Sequence, residues 1–487
     1  MKVAHRARSQ PARASRPGLV LGVLALGSGA FALLQTIVAP ALPVLQHDLH
    51  ASTSGTAWVF TSCLLAASVA TPTAGRLGDM FGKKQVLVIS LLSLAAGSLL
   101  AAVATSLPLL IAGRVIQGLG GAVYPLAFGI IRDEFPPERV ASAIALLSSL
   151  LGIGGGLGIV LAGPILAHLS YHWLFWILLV LTSAATAAAA IFIPESPIRE
   201  PGRVNWLGAA LLSAWLVALL VAVSEAPTWH WGSAKTIGLV VLAGLLAAAW
   251  VKAESRSRQP LVDMRMMRLR GVWTTNAAAL LLGFGQFTAL ILIPQFVQAP
   301  ASTGYGYGAS VTQAGLFVVP TTLASVITSP ISGRLSNLVG SKVPLVLGAS
   351  LTVISFAVLA IASSRWQVYL AATLAGAGTG FSFAPVANLI VQAVRPGQTA
   401  VASGMNSIFR TIGGATGADV VASILAAHLL ASGQPAKYGY TITFSVCAAV
   451  MLIGVLASLA VPGRNRRLAH SAEPADPAPA SNSRQTA

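Results

Sequence analysis

The sequence carries one acidic side chain in a position where it could do chemistry. Of the 13 carboxylates, Asp419 alone falls inside a long apolar segment, while the others lie in the polar stretches between such segments. A charged carboxylate among apolar groups is costly, so it must face a polar cavity, pair with a base or take up a proton. We therefore predict that Asp419 loads and releases protons. The alternative is a static, hydrogen-bonded acid that fixes helix packing.

Two arginines also fall inside apolar segments. Arg114 is predicted to relay protons or to polarise a bound molecule, and the alternative is a structural cation satisfied by backbone carbonyl groups. Arg410 precedes Asp419 by nine residues, which is about 13 Å along a helix and too far for an ion pair within it. We assign Arg410 to a conformational switch.

Several polar or aromatic residues in apolar segments are predicted to line a cavity between helices. They are Gln35, Gln117, Tyr124, Gln286, Phe383, Asn388 and Asn406. Each one alone is more often a hydrogen-bonding contact between helices. The sequence has no phosphate-binding loop of the Gly-x-x-x-x-Gly-Lys-Ser/Thr type, and we find no enzyme constellation, metal cluster or cofactor motif. We expect no enzymatic activity and no cofactor.

The segment Gly75–Lys84 reads GRLGDMFGKK, and a related segment, GRLSNLVGSK, follows 258 residues later at Gly333–Lys342. Glycines permit a tight turn between two helices, and an acid among cations can hold two helices in one of two packed states. The alternative is that the charges only set membrane orientation. The predicted switch residues here are Gly75, Arg76, Asp79, Gly82 and Lys83.

The composition shows which elements must hold these residues. The 487 residues are 55% hydrophobic and 9% charged, with a mean hydropathy of +0.78. Soluble domains carry about 25% charged residues, so secreted, nucleic-acid-binding and cytosolic classes are excluded. The net charge of +17 lies in short basic runs between apolar segments, which is typical of membrane orientation signals. Cys63 and Cys447 lie in apolar stretches and indicate neither a disulfide framework nor a metal site.

The apolar segments predict an all-α polytopic membrane protein with 14 transmembrane helices, each needing about 20 apolar residues. Placing both ends in the cytoplasm puts 25 of the 30 Lys and Arg residues on the cytoplasmic side, as the positive-inside rule requires. The predicted spans are 18–45, 54–75, 85–105, 107–131, 140–167, 172–194, 205–224, 236–253, 272–299, 310–332, 343–364, 367–392, 404–430 and 439–462.

The repeated segments divide the chain into two six-helix bundles of the same orientation, separated by two inserted helices. Parallel repeats of this kind are typical of transporters that bind substrate near the midplane between the halves. The loop before the second bundle is predicted to be either an amphipathic surface helix or a solvated linker. The predicted domains are a basic cytoplasmic N-terminus (1–17), the first bundle (18–195), the inserted helices (205–253), a cytoplasmic loop (254–271), the second bundle (272–462) and a disordered cytoplasmic tail (463–487).

Together these residues resemble the major facilitator superfamily. The Gly75–Lys84 segment is similar to its loop signature Gly-x-Leu-(small)-Asp-x-x-Gly-Arg-Lys, and Arg114 with Gly118 resembles its Arg-x-x-x-Gly signature. The fourteen-span layout and the Pro-Leu-Val-Asp segment at 260–263 resemble the drug:proton antiporter group over residues 18–462. The resemblance implies proton-driven export of small lipophilic or cationic compounds by rocking of the two bundles. It also implies a multi-pass protein of the cell membrane, and the composition points to the bacterial cytoplasmic membrane. The expected partners are the substrate, protons and the lipid bilayer, and no nucleic acid is expected to bind.

Two stretches depart from that group. The first span of the group carries an acid where this chain has Leu34, and its fifth-span signature has a proline where this chain has Ile159. The glycines Gly154, Gly158 and Gly163 remain, and we predict that they allow close helix packing. Alternative functions are a dedicated metabolite exporter or importer on the same scaffold, or a membrane sensor that does not transport. The oligomeric state is open, and a monomer fits.

Overall fold

The computed structural model describes residues 17–51, 53–195, 205–430 and 434–463, and these residues form α-helices joined by short connections. Thirteen of the described helices are long and apolar enough to cross a membrane, and a further apolar segment, Gly156–His168, lies within another helix. The all-helical membrane fold is therefore confirmed, whereas the count of 14 spans and the cytoplasmic ends stay predictions. The predicted basic N-terminus and nearly all of the predicted tail lie outside the described residues.

Among the described residues, the N-terminal half contains eight α-helices and the C-terminal half six. A 3-10 turn (Leu119–Ala122) joins the helix Leu107–Gly118 to the helix Val123–Glu134, so that the two form a single candidate span, Leu107–Glu134. The helices of the N-terminal half are α1 (Pro17–Thr36), α2 (Leu42–Asp48), α3 (Thr53–Phe81), α4 (Lys83–Ala102), α5 (Leu107–Gly118), α6 (Val123–Glu134), α7 (Pro137–His168) and α8 (His172–Phe192). The inserted helices are α9 (Trp206–Trp229) and α10 (Ala234–Arg256), followed by the short α11 (Met264–Met267). The C-terminal half consists of α12 (Arg270–Gln298), α13 (Val311–Val339), α14 (Lys342–Ala360), α15 (Arg365–Ala393), α16 (Thr399–Ala427) and α17 (Lys437–Ala460).

Three predicted helix ends are wrong by six residues or more, and one of them is the end of the tenth span, because α13 continues to Val339 and does not end at residue 332. The first span does not continue to residue 45, because α1 ends at Thr36 and a 3-10 turn (Ala39–Ala41) separates it from α2. The second span does not end at residue 75, because α3 continues to Phe81. The turn after it is made by Gly82 alone, whose φ of 123° suits glycine and few other residues. A Cβ atom at Gly82 would also collide with the carboxylate of Glu195.

Small residues bring neighbouring helices into close contact in both halves. A Cβ atom at Gly97 of α4 would lie 2.6 Å from the Gly113 carbonyl oxygen of α5, and one at Gly348 of α14 would lie 2.6 Å from the Gly378 carbonyl oxygen of α15. Helices in lipid associate through this kind of close packing, since lipid tails are as apolar as the side chains. Each half has its own apolar core, one around Leu34 and Phe175, the other around Phe296 and Phe356.

The repeat noted in the sequence is also a repeat of contacts between the halves. Where α3 ends, a Cβ atom at Gly75 would lie 2.9 Å from the Ala400 carbonyl oxygen at the start of α16. Where α13 ends, a Cβ atom at Gly333 would lie 2.6 Å from the Cβ of Ala145 near the start of α7. Each half therefore places its glycine-containing helix end against the fifth long helix of the other half.

The loop before the C-terminal half exposes basic side chains such as Arg258 and Arg268, as the solvated linker predicts, but it also buries apolar side chains. Its only α-helix, α11, has four residues, so it forms no amphipathic surface helix. Its apolar side chains Leu261, Val262 and Met266 are buried in one cluster with residues of α9, α10, α15 and α16. The Gln398 amide donates a hydrogen bond to the Asp263 carboxylate (3.4 Å). The loop therefore connects the inserted helices to the C-terminal half by packing as well as by sequence, and we call residues 257–269 the strap.

Candidate functional site

A cavity of about 740 Å³ lies between the two halves. Its wall is formed mainly by α1, α3 and α7 on one side and by α12, α13, α15 and α16 on the other, with further residues from α2, α9 and α14. The lining is mainly apolar, with aromatic side chains such as Trp58 and Phe287. Among the described lining residues, Arg410 and Asp419 carry the only charges. A cavity with this chemistry suits an apolar molecule that also carries polar or charged groups.

The cavity extends toward one end of the molecule and is closed at the other. We call the end that carries Gly82 and Thr399 the inner end, because the sequence predicts it to be cytoplasmic, and the opposite end the outer end. The lining reaches Leu42 and Gln298 at the outer end, whereas its deepest residues are Phe383 and Arg410. The cavity thus lies toward the predicted outer end, and close contacts between the two halves lie at the predicted inner end.

Asp419 lies in the cavity wall, on α16, and is half-buried. Within the described part of the chain, its carboxylate makes no hydrogen bond and no ion pair. The nine residues that separate it from Arg410 correspond to about 13 Å of helix. An acid that borders a cavity and has no fixed partner can exchange a proton or meet a cationic group of a ligand. Its role in proton coupling remains a prediction.

Arg410 lies at the floor of the cavity, and its role in a conformational switch stays a prediction. Its guanidinium stands 4.8 Å from the centre of the Phe383 ring, a cation–π contact. A second, smaller cavity of about 30 Å³ lies on the inner side of this pair, and Arg410 and Phe383 line both cavities. The second cavity also contacts Tyr124 and Asn406.

The residues predicted to line a cavity divide into three sets. Gln35 and Gln286 line the large cavity with Phe383, and Tyr124 and Asn406 line the small one. Asn406 donates a hydrogen bond to the Asn276 side-chain oxygen (2.9 Å), a contact between α16 and α12. Gln117 and Asn388 are buried and line neither cavity. They instead lie within the packed halves, where polar side chains join helices.

Arg114 is buried in the N-terminal half, in a chain of hydrogen bonds that joins three helices. Its Nε donates to the Val59 carbonyl of α3 (2.8 Å), and a terminal nitrogen donates to the Gln117 side-chain oxygen (2.7 Å). Gln117 in turn donates to the Ser98 hydroxyl of α4 (2.9 Å). This geometry is that of the structural alternative, a cation satisfied by neutral oxygen atoms. Whether Arg114 also relays protons is a matter for experiment.

The predicted switch is a cluster of buried charges at the inner end. The Lys83 ammonium is fully buried and lies 2.7 Å from Asp133 Oδ2 on α6 and 3.6 Å from Asp79 Oδ1 on α3. Asp79 Oδ2 accepts a hydrogen bond from the Val401 backbone N–H (3.3 Å). Val401 is in the first turn of α16, where free N–H groups and the helix dipole favour an anion. One acid of the N-terminal half thus caps a helix of the C-terminal half.

Sequence reasoning missed two members of this inner contact. Asp133 was counted among the loop acids, and Arg132 among the charges that set orientation. The Arg132 guanidinium donates to the Thr399 hydroxyl (2.7 Å) and to the Val394 carbonyl (2.9 Å), so it joins α6 to the connection between α15 and α16. The sequence did contain one indication of this contact, since Arg132 and Asp133 are adjacent charges in the last turn of a helix that ends before Pro136.

The second copy of the segment forms a weaker contact. Asn337, at the position of Asp79, donates to the Glu138 carbonyl (3.4 Å) and to the Ser142 hydroxyl (3.3 Å) of α7. An amide makes neutral hydrogen bonds, which are about half as strong as those of a carboxylate. The inner closure is therefore asymmetric, with the charged contact on the α3 side. Arg76 lies half-buried in the same part of α3.

The predicted packing glycines lie where α7 crosses α1. Gly154 faces Ala32, and Gly158 faces Thr36 and Ile37. The Thr36 hydroxyl donates a hydrogen bond to the Gly154 carbonyl (2.9 Å), which the threonine of α1 can reach because glycine has no side chain. Gly163 lies further along α7 and is partly exposed. In the described chain no group of three or more His, Cys, Asp or Glu side chains could hold a metal ion.

Comparison with known proteins finds one matching family model and several relatives with related names. The family model of the Major Facilitator Superfamily matches residues 24–418 and 277–484. A multidrug resistance protein B homolog of Mycobacterium tuberculosis is 28% identical over 83% of this chain and 75% of its own length. The tetracenomycin C resistance and export protein of Streptomyces glaucescens is 29% identical over 85% and 77%, and multidrug resistance protein 3 of Bacillus subtilis is 30% identical over 85% and 80%.

A solved structure has the same fold. The crystal structure of the human organic anion transporter MFSD10 (TETRAN) aligns with a TM-score of 0.66, covering 92% of this chain and all of that one, at 17% identity. The apolar helices, the two related halves and the family match agree with a multi-pass protein of the cell membrane. The chain belongs to the Major Facilitator Superfamily of transporters.

Proposed function

We propose that this transporter exports small lipophilic or cationic compounds in exchange for protons, by alternating access between an outward-facing and an inward-facing state. The observation that carries the proposal is the large apolar cavity with Asp419 in its wall. The aromatic and aliphatic lining accepts apolar molecules of varied shape. The carboxylate attracts a cationic group when ionised and releases it when protonated, so that one group can serve substrate and proton in turn.

Two further features support alternating access. The cavity borders both halves, so a substrate in it contacts surfaces that separate when the halves rock. The buried charges at the inner end, together with the hydrogen bonds of Arg132, are discrete contacts that can break and re-form as a unit. The relatives named as multidrug resistance or export proteins favour export over import.

The test compares the native protein with Asp419→Asn in cells loaded with ethidium, and in proteoliposomes with an imposed pH gradient. We expect protonophore-sensitive efflux by the native protein and at least a tenfold lower rate for the variant, because an amide cannot exchange a proton or balance a cation. Asp48→Asn is a matched control, since Asp48 lies at the end of α2, pairs with His47 and does not line the cavity.

Equal and protonophore-insensitive efflux by the native protein and Asp419→Asn would contradict proton coupling. Uptake against a gradient, rather than efflux, would assign an importer on the same scaffold. Stabilisation by ligands without any flux in proteoliposomes would instead support the alternative of a membrane sensor.

A further inference from the structure

The floor of the cavity presents a cation that the protein itself does not neutralise. Arg410 lines the cavity, and in the described chain its guanidinium has no carboxylate within ion-pair distance and no hydrogen-bond acceptor, only the Phe383 ring at 4.8 Å. Asp419 is about 13 Å further along the helix. A guanidinium in an apolar setting is costly unless something anionic or polar meets it.

Hydroxyl groups of both halves gather on the inner side of the same guanidinium. Tyr124 of α6, Ser148 of α7 and Ser403 of α16 line the small cavity with Arg410. Each of these hydroxyls is buried, and none has a hydrogen-bond partner within the described residues. Buried hydroxyls are nearly always satisfied, so three of them around one arginine point to a ligand group that accepts several hydrogen bonds.

We propose that Arg410 and these hydroxyls form a subsite for an oxyanion, the carboxylate or a similar acidic group of a transported molecule. A carboxylate accepts charge-assisted hydrogen bonds from a guanidinium and further bonds from hydroxyl donors. The apolar body of such a molecule fills the large cavity above Phe383. The substrate class is therefore amphipathic molecules with an anionic end, including zwitterions whose cationic group reaches toward Asp419.

The subsite also links the ligand to the state of the transporter. Tyr124 and Ser148 belong to the N-terminal half, whereas Arg410 and Ser403 belong to the C-terminal half. Their donors surround one cavity because the inner end is closed by contacts such as Asp79 with Val401. An anion bound here bridges the halves and stabilises the outward-facing state. This inference rests on the proposed transport function for the nature of the ligand.

The test is equilibrium binding of two matched probes to the full-length protein in lipid nanodiscs, without any gradient. The probes are 1-naphthoate and the neutral 1-naphthamide, which share one apolar ring system. We expect about tenfold tighter binding of naphthoate by the native protein, the value of one charge-assisted hydrogen bond. Arg410→Gln loses this preference while its affinity for naphthamide stays unchanged. Arg410→Lys keeps part of the preference, and Tyr124→Phe loses a smaller part.

Arg365→Gln is the matched control, since Arg365 lies at the outer end over the Tyr307 ring and outside both cavities. Equal affinity of the two probes for the native protein, absence of saturable naphthoate binding at millimolar concentration, or an undiminished preference in a folded Arg410→Gln would overturn the proposal. Displacement of naphthoate by millimolar chloride or inorganic phosphate would assign the subsite to a free inorganic anion and overturn the substrate assignment.

Because binding is measured at equilibrium, its failure and the failure of proton-driven export are separate results. Export with no naphthoate preference leaves the transporter and removes the subsite. A preference that depends on Arg410, in a protein that shows no ethidium flux, supports the subsite and contradicts the proposed cationic substrates.

Discussion

At the scale of single residues, Lys83 is the central cation of the buried charge cluster at the inner end. Its stem passes over Gly129, where a Cβ atom would lie 2.8 Å from the lysine chain, and its ammonium sits between Asp133 and Asp79. By neutralising Asp79, it allows that acid to stand buried at the start of α16. A buried ion cluster gives little net stability, yet the removal of one member is costly because unpaired charges remain.

Lys83→Met should therefore lower the free energy of unfolding by about 3–5 kcal/mol, because two carboxylates lose the cation between them. The measurement is chemical unfolding of the purified protein in mixed micelles. Lys84→Met is the matched control, since Lys84 is partly exposed, and it should change stability by less than about 0.5 kcal/mol. A double variant, Lys83→Met with Asp133→Asn, should recover part of the loss. Equal stability of Lys83→Met and Lys84→Met would contradict the buried cluster.

Arg114 allows its two predicted roles to be separated. Arg114→Gln leaves the Val59 carbonyl and the Gln117 side chain short of a donor, so we expect a loss of about 1–3 kcal/mol in the free energy of unfolding. The pH dependence of transport by the folded variant should match that of the native protein. A shifted pH profile with unchanged stability would instead indicate the proton relay.

The sequence located these charged residues without locating their partners. The spacing of Arg114 and Gln117 suggests a contact along one helix, and their hydrogen bond exists. The Val59 carbonyl, however, lies 55 residues away, and only helix packing brings it near. Likewise Asp133 looks like a loop acid in the sequence, because nothing in the spacing shows that the last turn of α6 faces Lys83. Arg410 was assigned to the conformational switch, and its spacing in the sequence could not show that its side chain lines a cavity.

At the scale of elements, the two copies of the glycine segment make related contacts with the opposite half, one through a charged side chain and the other through a neutral one. The end of α3 approaches α16 through Gly75 and the Asp79 carboxylate, and the end of α13 approaches α7 through Gly333 and the Asn337 amide. A larger side chain at either glycine would force these helices apart. The two glycines therefore allow the close approach of the helices at the inner end. The charged contact of α3 makes it the stronger of the two.

Gly75→Ala should shift the population toward the inward-facing state by about tenfold, since overpacking of about 1–3 kcal/mol is imposed on the closed form alone. The measurement is the distance between spin labels at Phe81 and Leu338, exposed positions near the inner ends of α3 and α13. Gly238→Ala on α10 is the control, since a Cβ atom there meets nothing within 4 Å. An unchanged distance distribution in Gly75→Ala would argue against a role of this contact in closure.

The hydropathy of the sequence predicted that the helices exist, but it did not predict where each helix ends. The break after Thr36 falls in an apolar stretch whose Ile37, Val38 and Ala41 are fully buried, so no change of polarity marks it. Conversely, the charges of Arg76 and Asp79 suggested a loop, yet α3 continues through them because buried partners satisfy Asp79. Hydropathy reports the surroundings of a segment, whereas a helix end depends on backbone hydrogen bonds and on tertiary partners.

At the scale of the whole molecule, the inserted helices pack against both halves, and they share a buried cluster and a hydrogen bond with the C-terminal half. On the C-terminal side, Leu212 and Leu216 of α9 share a buried cluster with residues of α15 and α16, and the Trp231 indole donates to the Ser423 hydroxyl of α16 (2.7 Å). The strap adds Leu261 and Val262 to the same cluster. On the N-terminal side, α9 packs against α3. Leu220 and Val221 of α9 also line the cavity, so the insertion is part of the cavity wall.

We therefore expect the insertion to move with the C-terminal half when the halves rock, so that the seam between α9 and α3 slides. Spin labels at Gly244 of α10 and Ile453 of α17, both at open positions, should keep one distance when Gly75→Ala shifts the state. Labels at Gly244 and Leu92 of α4, which is exposed in the N-terminal half, should show a changed distance. The reverse pattern would place the insertion with the N-terminal half. A change in both pairs would make it a third body, and the buried strap cluster would then have to open during each cycle.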